Sequence, residues 1–229
     1  MKYSIINIIY NLPFSNFLTG FIKKKLLKEN QITFIPTNKK KLPKEHYPYL
    51  NSEEYQEEII SLYSKNNKIS FNTYLDLKNL LKKKFNSESK FNFLDIGGEK
   101  LDFYLDISKE FTNINYFLIN LPEVNQIITN LKDKYSFDNL KVLNNLNEIK
   151  NNDYDFVYFG SSLQYLNNYK NYINEILPIT RKYVFLSATW FFLNDNFKKE
   201  IVVKQLNYLP KQYYLYFLKL NFIQKLLKN

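Results

Sequence analysis

Short apolar runs alternate with amphipathic segments through the middle of the chain. The apolar runs predict one strand that ends at Ile96, followed by strands over Ile114–Ile119, Lys141–Leu143, Tyr154–Phe159 and Lys182–Ser187. Between them, apolar residues recur three or four positions apart, which is the spacing of an amphipathic helix. This regular alternation predicts an α/β fold with a doubly wound, mostly parallel sheet.

Two helices are predicted before the first strand of this alternation. One begins at Asn51, with Glu54 as its reciprocal cap, and the second spans about Phe71–Lys84. We therefore expect residues 1–88 to form an N-terminal extension whose helices cover the sheet. Residues 89–229 are then expected to form the sheet domain.

The last part of the chain follows a looser pattern. Glu200–Tyr208 predicts one more strand, and the aromatic-rich segment Tyr213–Leu227 predicts a helix. No internal repeat interrupts the order of elements, so we expect one ordinary α/β domain with its appendage.

The chain has a formal charge of +10 over 229 residues, but its positive residues are nearly all lysine. Arg181 is the only arginine, and arginine is the side chain that pairs with phosphates and guanine edges through two hydrogen bonds. We therefore expect a solvated lysine surface and no nucleic-acid partner.

The chain has no cysteine and His46 is its only histidine, which excludes a thiol nucleophile and a Cys/His metal cluster.

An uncharged stretch, residues 3–22, precedes the basic cluster Lys23–Lys25. The stretch is too polar and broken for a transmembrane helix, and it lacks the compact apolar core and cleavage site of a signal peptide. Peripheral contact with an anionic membrane surface and packing on the domain or on a partner are both open. We expect a cytoplasmic protein.

The first predicted strand ends in Asp95-Ile96-Gly97-Gly98 and leads into a helix-like pattern. Glycine permits positive φ angles and close approach of the backbone to a ligand, and such strand–turn–helix units bind nucleotide-like ligands at the edge of parallel sheets. Because Gly97-Gly98 is followed by Glu99, neither a G-x-G-x-x-G fingerprint nor a phosphate-binding loop is present. The turn therefore favours S-adenosylmethionine, which has no phosphate; a plain turn without a ligand is the alternative.

Three segments in order resemble class I S-adenosylmethionine-dependent methyltransferases. Phe93–Gly98 is similar to their first motif, and Asp95–Gly98, Leu121–Glu123 and Ser161–Leu166 together resemble methyltransferases associated with bacterial surface-polysaccharide loci. The resemblance covers roughly residues 45–229. It implies a Rossmann-like methyltransferase fold, S-adenosylmethionine as cofactor, and methylation, expected to be O-methylation, of a small molecule or saccharide intermediate in polysaccharide biosynthesis.

The resemblance also implies a set of cofactor-binding residues at the strand ends. Asn120 stands where the family has an acid for the ribose hydroxyls, and its amide lacks charge assistance. A turn cap is the alternative role for Asp95, and plain loop positions are the alternative for Asn144 and Asn145. The expected set is Asp95, Gly97, Gly98, Asn120, Leu121, Asn144, Asn145, Ser161, Ser162 and Gln164. No metal is expected.

Two departures from the family pattern leave a second function open. Leu101 stands near a position where the family commonly has a further glycine, and the late antiparallel strand that closes the sheet has no counterpart after Leu227. A general base assists methylation of a sugar hydroxyl, and the candidates are His46, Tyr49 and Tyr165, with a structural role as the alternative for each. The alternative function is a non-catalytic methyltransferase-like binding or scaffold protein, degenerate or truncated.

Overall fold

The computed structural model describes residues 33–43, 75–98, 101–192, 200–206 and 212–227. Its strands are β1 Thr33–Pro36, β2 Phe91–Ile96, β3 Ile114–Ile119, β4 Leu140–Leu143, β5 Tyr154–Gly160, β6 Thr180–Ser187, β7 Phe191–Phe192, β8 Ile201–Leu206 and β9 Gln212–Lys219. Its helices are α1 Leu75–Lys84, α2 Asp102–Glu110, α3 Pro122–Tyr135, α4 Leu146–Lys150, α5 Tyr169–Ile176 and α6 Leu220–Leu226. The strands divide between two compact units, one built on β2 to β6 and the other on β1, β7, β8 and β9.

The first unit contains a parallel sheet with the strand order β4-β3-β2-β5-β6. The central strand β2 pairs with β3 along its whole length, from Phe91↔Ile114 to Ile96↔Ile119, and with β5 on its other side. Helices flank the sheet and connect successive strands, as parallel pairing requires. The predicted Rossmann-like α/β class is confirmed, and each strand predicted for this sheet is present.

Aromatic side chains fill the centre of this sheet. Phe93 is fully buried, and its ring stacks on Tyr116 at 5.1 Å and on Phe156 at 5.3 Å between ring centroids. These residues are in register on β3, β2 and β5, and Tyr183 of β6 continues the row at 5.8 Å from Phe156. Because the chain has a single alanine, large rings take the volume that small side chains share in most cores.

Two helices of this unit agree with the sequence pattern. α3 begins with Pro122 at its first turn, where the missing N–H costs nothing, and buries Val124, Ile128 and Leu131. The described part of the second predicted helix is α1, which buries Leu77 and Leu81. The helix predicted to begin at Asn51 lies outside the described residues.

The second unit is a sheet with the strand order β1-β8-β9-β7. β8 pairs antiparallel with both β1 and β9, and β7 pairs parallel with the end of β9. The strand predicted over Glu200–Tyr208 is β8, although it lies in this sheet and not beside β6. The helix predicted over Tyr213–Leu227 is wrong for its first half, because Gln212–Lys219 is a strand and only Leu220–Leu226 is helical. Tyrosine and phenylalanine favour strands when a partner strand buries them.

Candidate functional site

Contacts with the ends of β3 and β5 determine the conformation of the glycine turn after β2. Gly97 has φ +88°, and a Cβ built on it would lie 2.3 Å from the Cβ of Ser162, which follows β5. The Gly97 N–H donates to the carbonyl oxygen of Ile119 at 2.8 Å, and the Ser162 hydroxyl donates to the carbonyl oxygen of Ile96. Gly97 is therefore required by backbone conformation and by close packing between two strand ends.

Asp95 lies directly beneath the second glycine of the turn. Its side chain is 4% exposed and its Oδ2 accepts a hydrogen bond of 2.6 Å from the Tyr116 hydroxyl. A Cβ on Gly98 would come within 2.2 Å of that same carboxylate oxygen. The carboxylate thus occupies the space that a side chain at Gly98 would need, and Tyr116 fixes its orientation.

Tyr104 is a buried tyrosine that packs beside Tyr116. Tyr104 of α2 packs edge-on against Tyr116 at 5.2 Å between ring centroids, and its hydroxyl donates to Oδ1 of Asn139 at 2.5 Å. Burial, with a smaller contribution from Asp138, raises the pKa of Tyr104 to about 12. Tyr104 therefore acts as a hydrogen-bond donor at neutral pH and not as a base.

In the described part of the chain, three residues other than glycine adopt the left-handed conformation in turns that follow strands of the parallel sheet. Leu101 has φ 52° in the turn after β2, Ser161 has φ 58° after β5, and Ala188 has φ 48° after β6. Leu101 is 3% exposed and is the N-cap residue of α2. Leu101, noted from the sequence as standing near a position where the resembled family commonly has a glycine, thus adopts a backbone conformation that is costly for a residue with a Cβ.

Asn120 and Asn125 connect the ends of β2, β3 and β4. The Asn120 Nδ2 donates to the Gly98 carbonyl oxygen at 2.9 Å, and its Oδ1 accepts from the Leu121 N–H at 2.7 Å. The buried Asn125 amide accepts from the Asn120 N–H at 2.9 Å and donates to the Leu143 carbonyl oxygen at 2.8 Å. Sequence reasoning missed Asn125; the signal was a polar residue beside the apolar stripe of α3.

The two asparagines after β4 have unequal roles. The Asn145 side chain caps α4 by accepting from the N–H groups of Asn147 and Glu148 at 3.0 and 3.2 Å. Glu148 in turn accepts from the Asn144 N–H at 2.9 Å and from the Asn145 side chain at 2.8 Å. This is a capping arrangement, so Asn145 serves the helix, while the exposed Asn144 side chain remains at the sheet edge.

The ends of β5 and β6 are joined by Gln164, which lies in the short 3₁₀ turn Leu163–Tyr165. Its Nε2 donates to the Ser161 hydroxyl oxygen and to the Ala188 carbonyl oxygen, both at 3.1 Å. Tyr165 is half-buried in the same turn. His46 and Tyr49, the other candidates for a base, lie outside the described residues.

The structure thus brings most of the predicted site residues to one edge of the sheet. The turns after β2, β3, β5 and β6 meet there, and Leu121, 36% exposed, places an apolar side chain beside them. Within the described ranges, no group of three or more His, Cys, Asp or Glu side chains is arranged to hold a metal ion. In the same part of the chain, no helix has the length and apolar character needed to cross a bilayer.

The chain matches no protein-family model and no curated protein, but its structure resembles solved methyltransferases. The N-terminal domain of EvdMO1, solved in the presence of SAH (S-adenosylhomocysteine) and D-fucose, aligns with a TM-score of 0.54 at 11% identity, over 77% of this chain and 84% of that chain. Coclaurine N-methyltransferase bound to N-methylheliamine and SAH gives 0.41 at 14% identity, over 53% of this chain. Precorrin-6y C5,15-methyltransferase from Geobacter metallireducens gives 0.40 at 15% identity, over 52% of this chain and 65% of that chain.

These alignments concern the fold. The chain spans 38% of the coclaurine N-methyltransferase chain, and the EvdMO1 domain is the match above that covers most of both chains. The sheet order and the EvdMO1 alignment together define the Rossmann-like fold of class I methyltransferases.

Proposed function

We propose that this protein is an S-adenosylmethionine-dependent methyltransferase that acts on a small molecule or a saccharide intermediate. The observation that carries the proposal is the glycine turn at the carboxyl ends of the parallel strands, where Gly97 takes φ +88° and the turns after β2, β3 and β5 come together. In parallel α/β sheets this edge is where ligands bind. The methyltransferase fold makes the cofactor the natural ligand of that edge.

The residues around the turn are compatible with this cofactor. Gly97 and Gly98 are assigned to let the backbone approach the methionine moiety and ribose of the cofactor, and Asp95 is assigned as the partner of its ammonium group. Asn120 uses one N–H and one lone pair in its bonds to Gly98 and Leu121, and an amide has two of each, so it can also bond the ribose hydroxyls. When bound, the cofactor supplies an electrophilic methyl group on a sulfonium.

The adenine end is assigned to the β3 and β4 side of the turn. Leu121 offers an exposed apolar surface for the base, and Asn144, an exposed residue that follows the neighbouring strand β4, is assigned as its polar partner. Asn145 is a weaker candidate than the sequence suggested, because both groups of its side chain amide serve the cap of α4.

The methyl acceptor is assigned to the β5 and β6 side, and O-methylation is the proposed reaction. Ser161 and Ser162 lie there with Tyr165 as the candidate wall or base. EvdMO1 was solved in the presence of a sugar, D-fucose, and this supports a saccharide as the proposed acceptor here. Surface-polysaccharide biosynthesis is the proposed setting, resting on the sequence resemblance alone.

A non-catalytic methyltransferase-like protein is the second candidate. Asn120 in place of an acid, with its amide engaged by Gly98 and Leu121, is the observation that favours it. The proposed enzyme and this alternative differ in turnover. A scaffold would release no SAH above the rate in buffer.

Turnover is tested with S-adenosylmethionine labelled in its methyl group. The full chain is incubated with the labelled cofactor and with D-fucose or other monosaccharides, and both SAH and labelled sugar are quantified. We expect label in the sugar together with an equal amount of SAH. Cofactor binding without transfer to any hydroxyl-bearing small molecule would contradict the enzyme and leave the scaffold.

A further inference from the structure

Gln164 is a fully buried polar side chain at the carboxyl edge of the parallel sheet, and its amide is only partly satisfied. Its exposed fraction is 0%. The Nε2 atom donates to the Ser161 hydroxyl oxygen and to the Ala188 carbonyl oxygen, both at 3.1 Å. The Oε1 atom is buried, and no group in the described part of the chain donates a hydrogen bond to it.

The orientation of this amide is fixed by chemistry. A backbone carbonyl oxygen only accepts hydrogen bonds, so the nitrogen of Gln164 must face Ala188. Turning the amide over would set two carbonyl oxygens against each other. The atom without a donor is therefore the oxygen, and a buried carbonyl oxygen in this state is uncommon enough to call for an explanation.

The sequence resemblance placed Gln164 with the cofactor, but the amide lies on the other side of the glycine turn from Asn120 and Leu121. Ser161 and Ala188 are exposed and follow β5 and β6 directly, so Gln164 lies just beneath the surface where these two strands end. Asn120 and Leu121 follow β3, on the other side of the glycine turn in the strand order β4-β3-β2-β5-β6. Gln164 thus belongs to the side assigned to the methyl acceptor.

We propose that Oε1 of Gln164 accepts a hydrogen bond from a hydroxyl group of the methyl acceptor. The inference rests on the proposed function and deepens it, because an atom that only accepts selects a ligand with an O–H donor. Because Oε1 is buried, the ligand hydroxyl reaches it only when Ser161 and Ala188, the small exposed residues bonded to the amide nitrogen, move apart. An amide oxygen is far too weak a base to take the proton, so Gln164 orients the hydroxyl and does not deprotonate it.

The test measures sugar binding to protein that is already saturated with SAH. D-fucose is titrated into the wild type and Gln164→Met by nuclear magnetic resonance, and SAH affinity is measured first for each protein by calorimetry. Methionine keeps the length of the side chain and removes the acceptor oxygen. We expect D-fucose to bind about tenfold more weakly to the variant, as for the loss of one hydrogen bond to a buried group, while SAH affinity is unchanged.

Two controls make the result specific. Gln126→Met makes the same chemical change on the exposed face of α3, where the Gln126 amide donates to the Asn130 side chain at 3.1 Å, and this variant is expected to bind D-fucose like the wild type. The tetra-O-methyl ether of D-fucose has no O–H donor and is expected to bind the wild type at least tenfold more weakly than D-fucose. This second control works even if Gln164→Met does not fold.

The inference is overturned if SAH binds but D-fucose does not bind the loaded wild type. It is also overturned if Gln164→Met binds D-fucose as tightly as the wild type does. The same holds if the wild type binds the methyl ether as tightly as it binds D-fucose. Absence of SAH binding by the folded wild type is a different failure, since it removes the proposed function and this inference with it.

Discussion

Gly97→Ala is expected to destabilise the protein through two effects that can be separated. The alanine would have to adopt φ +88°, which costs about 1–2 kcal/mol for a residue with a Cβ. Its Cβ would also lie 2.3 Å from the Cβ of Ser162, and overpacking of this kind costs about 1–3 kcal/mol. The free energy of unfolding should therefore fall by roughly 2–5 kcal/mol.

A double-mutant cycle in urea distinguishes the two effects. Ser162→Gly removes the clashing Cβ, so in the Gly97→Ala background it should recover the overpacking part, about 1–3 kcal/mol. Ser162→Ala is the matched control, because it removes the hydroxyl but keeps the Cβ. Each substitution at Ser162 alone should cost about 1 kcal/mol or somewhat more, since the hydrogen bond to Ile96 is lost.

The packing argument would be refuted by either of two results. One is a Gly97→Ala variant whose free energy of unfolding lies within about 0.5 kcal/mol of the wild type. The other is equal recovery by Ser162→Gly and Ser162→Ala, which would show that the Cβ of Ser162 is not the obstacle.

Three further substitutions test the interior of the same unit. Phe93→Ala should lower the free energy of unfolding by about 3–5 kcal/mol, because it empties the centre of the aromatic row; a loss below about 1 kcal/mol in a urea titration would refute the row as a core. Asn125→Leu should cost about 2–4 kcal/mol, because it leaves the part-buried Asn120 N–H and the buried Leu143 carbonyl oxygen without this partner, and hydrogen exchange at those turns should accelerate. Lys78→Met should cost about 1–2 kcal/mol at pH 7, because Lys78 bridges the carboxylates of Asp106 and Glu110 at 2.9 and 2.6 Å. Burial opposes ionisation of Glu110, but hydrogen bonds from Lys78 and Lys82 outweigh it and lower its pKa; the stabilisation is therefore present above the ordinary carboxyl pKa of about 4.3 and is lost as pH falls through the lowered value. A difference between wild type and Lys78→Met that does not shrink between pH 5 and pH 3 would contradict this assignment.

The parallel sheet could be predicted from the sequence because a strand that is buried on both faces is a nearly continuous apolar run. β3 and β5 are apolar runs with turn residues at each end, and the predicted Ile114–Ile119 agrees with the structure residue for residue. Pro122 marked the start of α3 in the same way. In such segments local propensity and tertiary burial favour the same structure.

The segment after Ala188 could not be read from its pattern alone. Gln212–Lys219 is rich in tyrosine, phenylalanine and leucine, and its apolar positions fit a helical spacing as well as a strand. Pairing with β8, through register pairs such as Val203↔Leu215, decides in favour of a strand. A partner strand that is distant in sequence is not visible in a local window.

The candidate site likewise contains local features that the sequence shows and long-range contacts that it does not show. The glycine turn is a local feature, and so is the presence of Leu101 near a position where the resembled family commonly has a glycine. The sequence indicated both. The bonds that join the strand ends, from Asn125 to Leu143 and from Gln164 to Ala188, connect residues 18 and 24 positions apart. Only the fold brings such partners together, so the sequence named Gln164 as a cofactor-binding candidate without showing its partner Ala188, and it missed Asn125.

Calorimetric titration of the purified full chain with SAH tests the central claim most directly. We predict binding in the micromolar range by the wild type, weakened about tenfold in Asn120→Ala, which removes the amide beside the glycine turn. Asn147→Ala, an exposed residue of α4, is the matched control and should bind like the wild type. A folded wild type that gives no heat with SAH, or equal affinities for all three proteins, would contradict a cofactor site at this edge of the sheet.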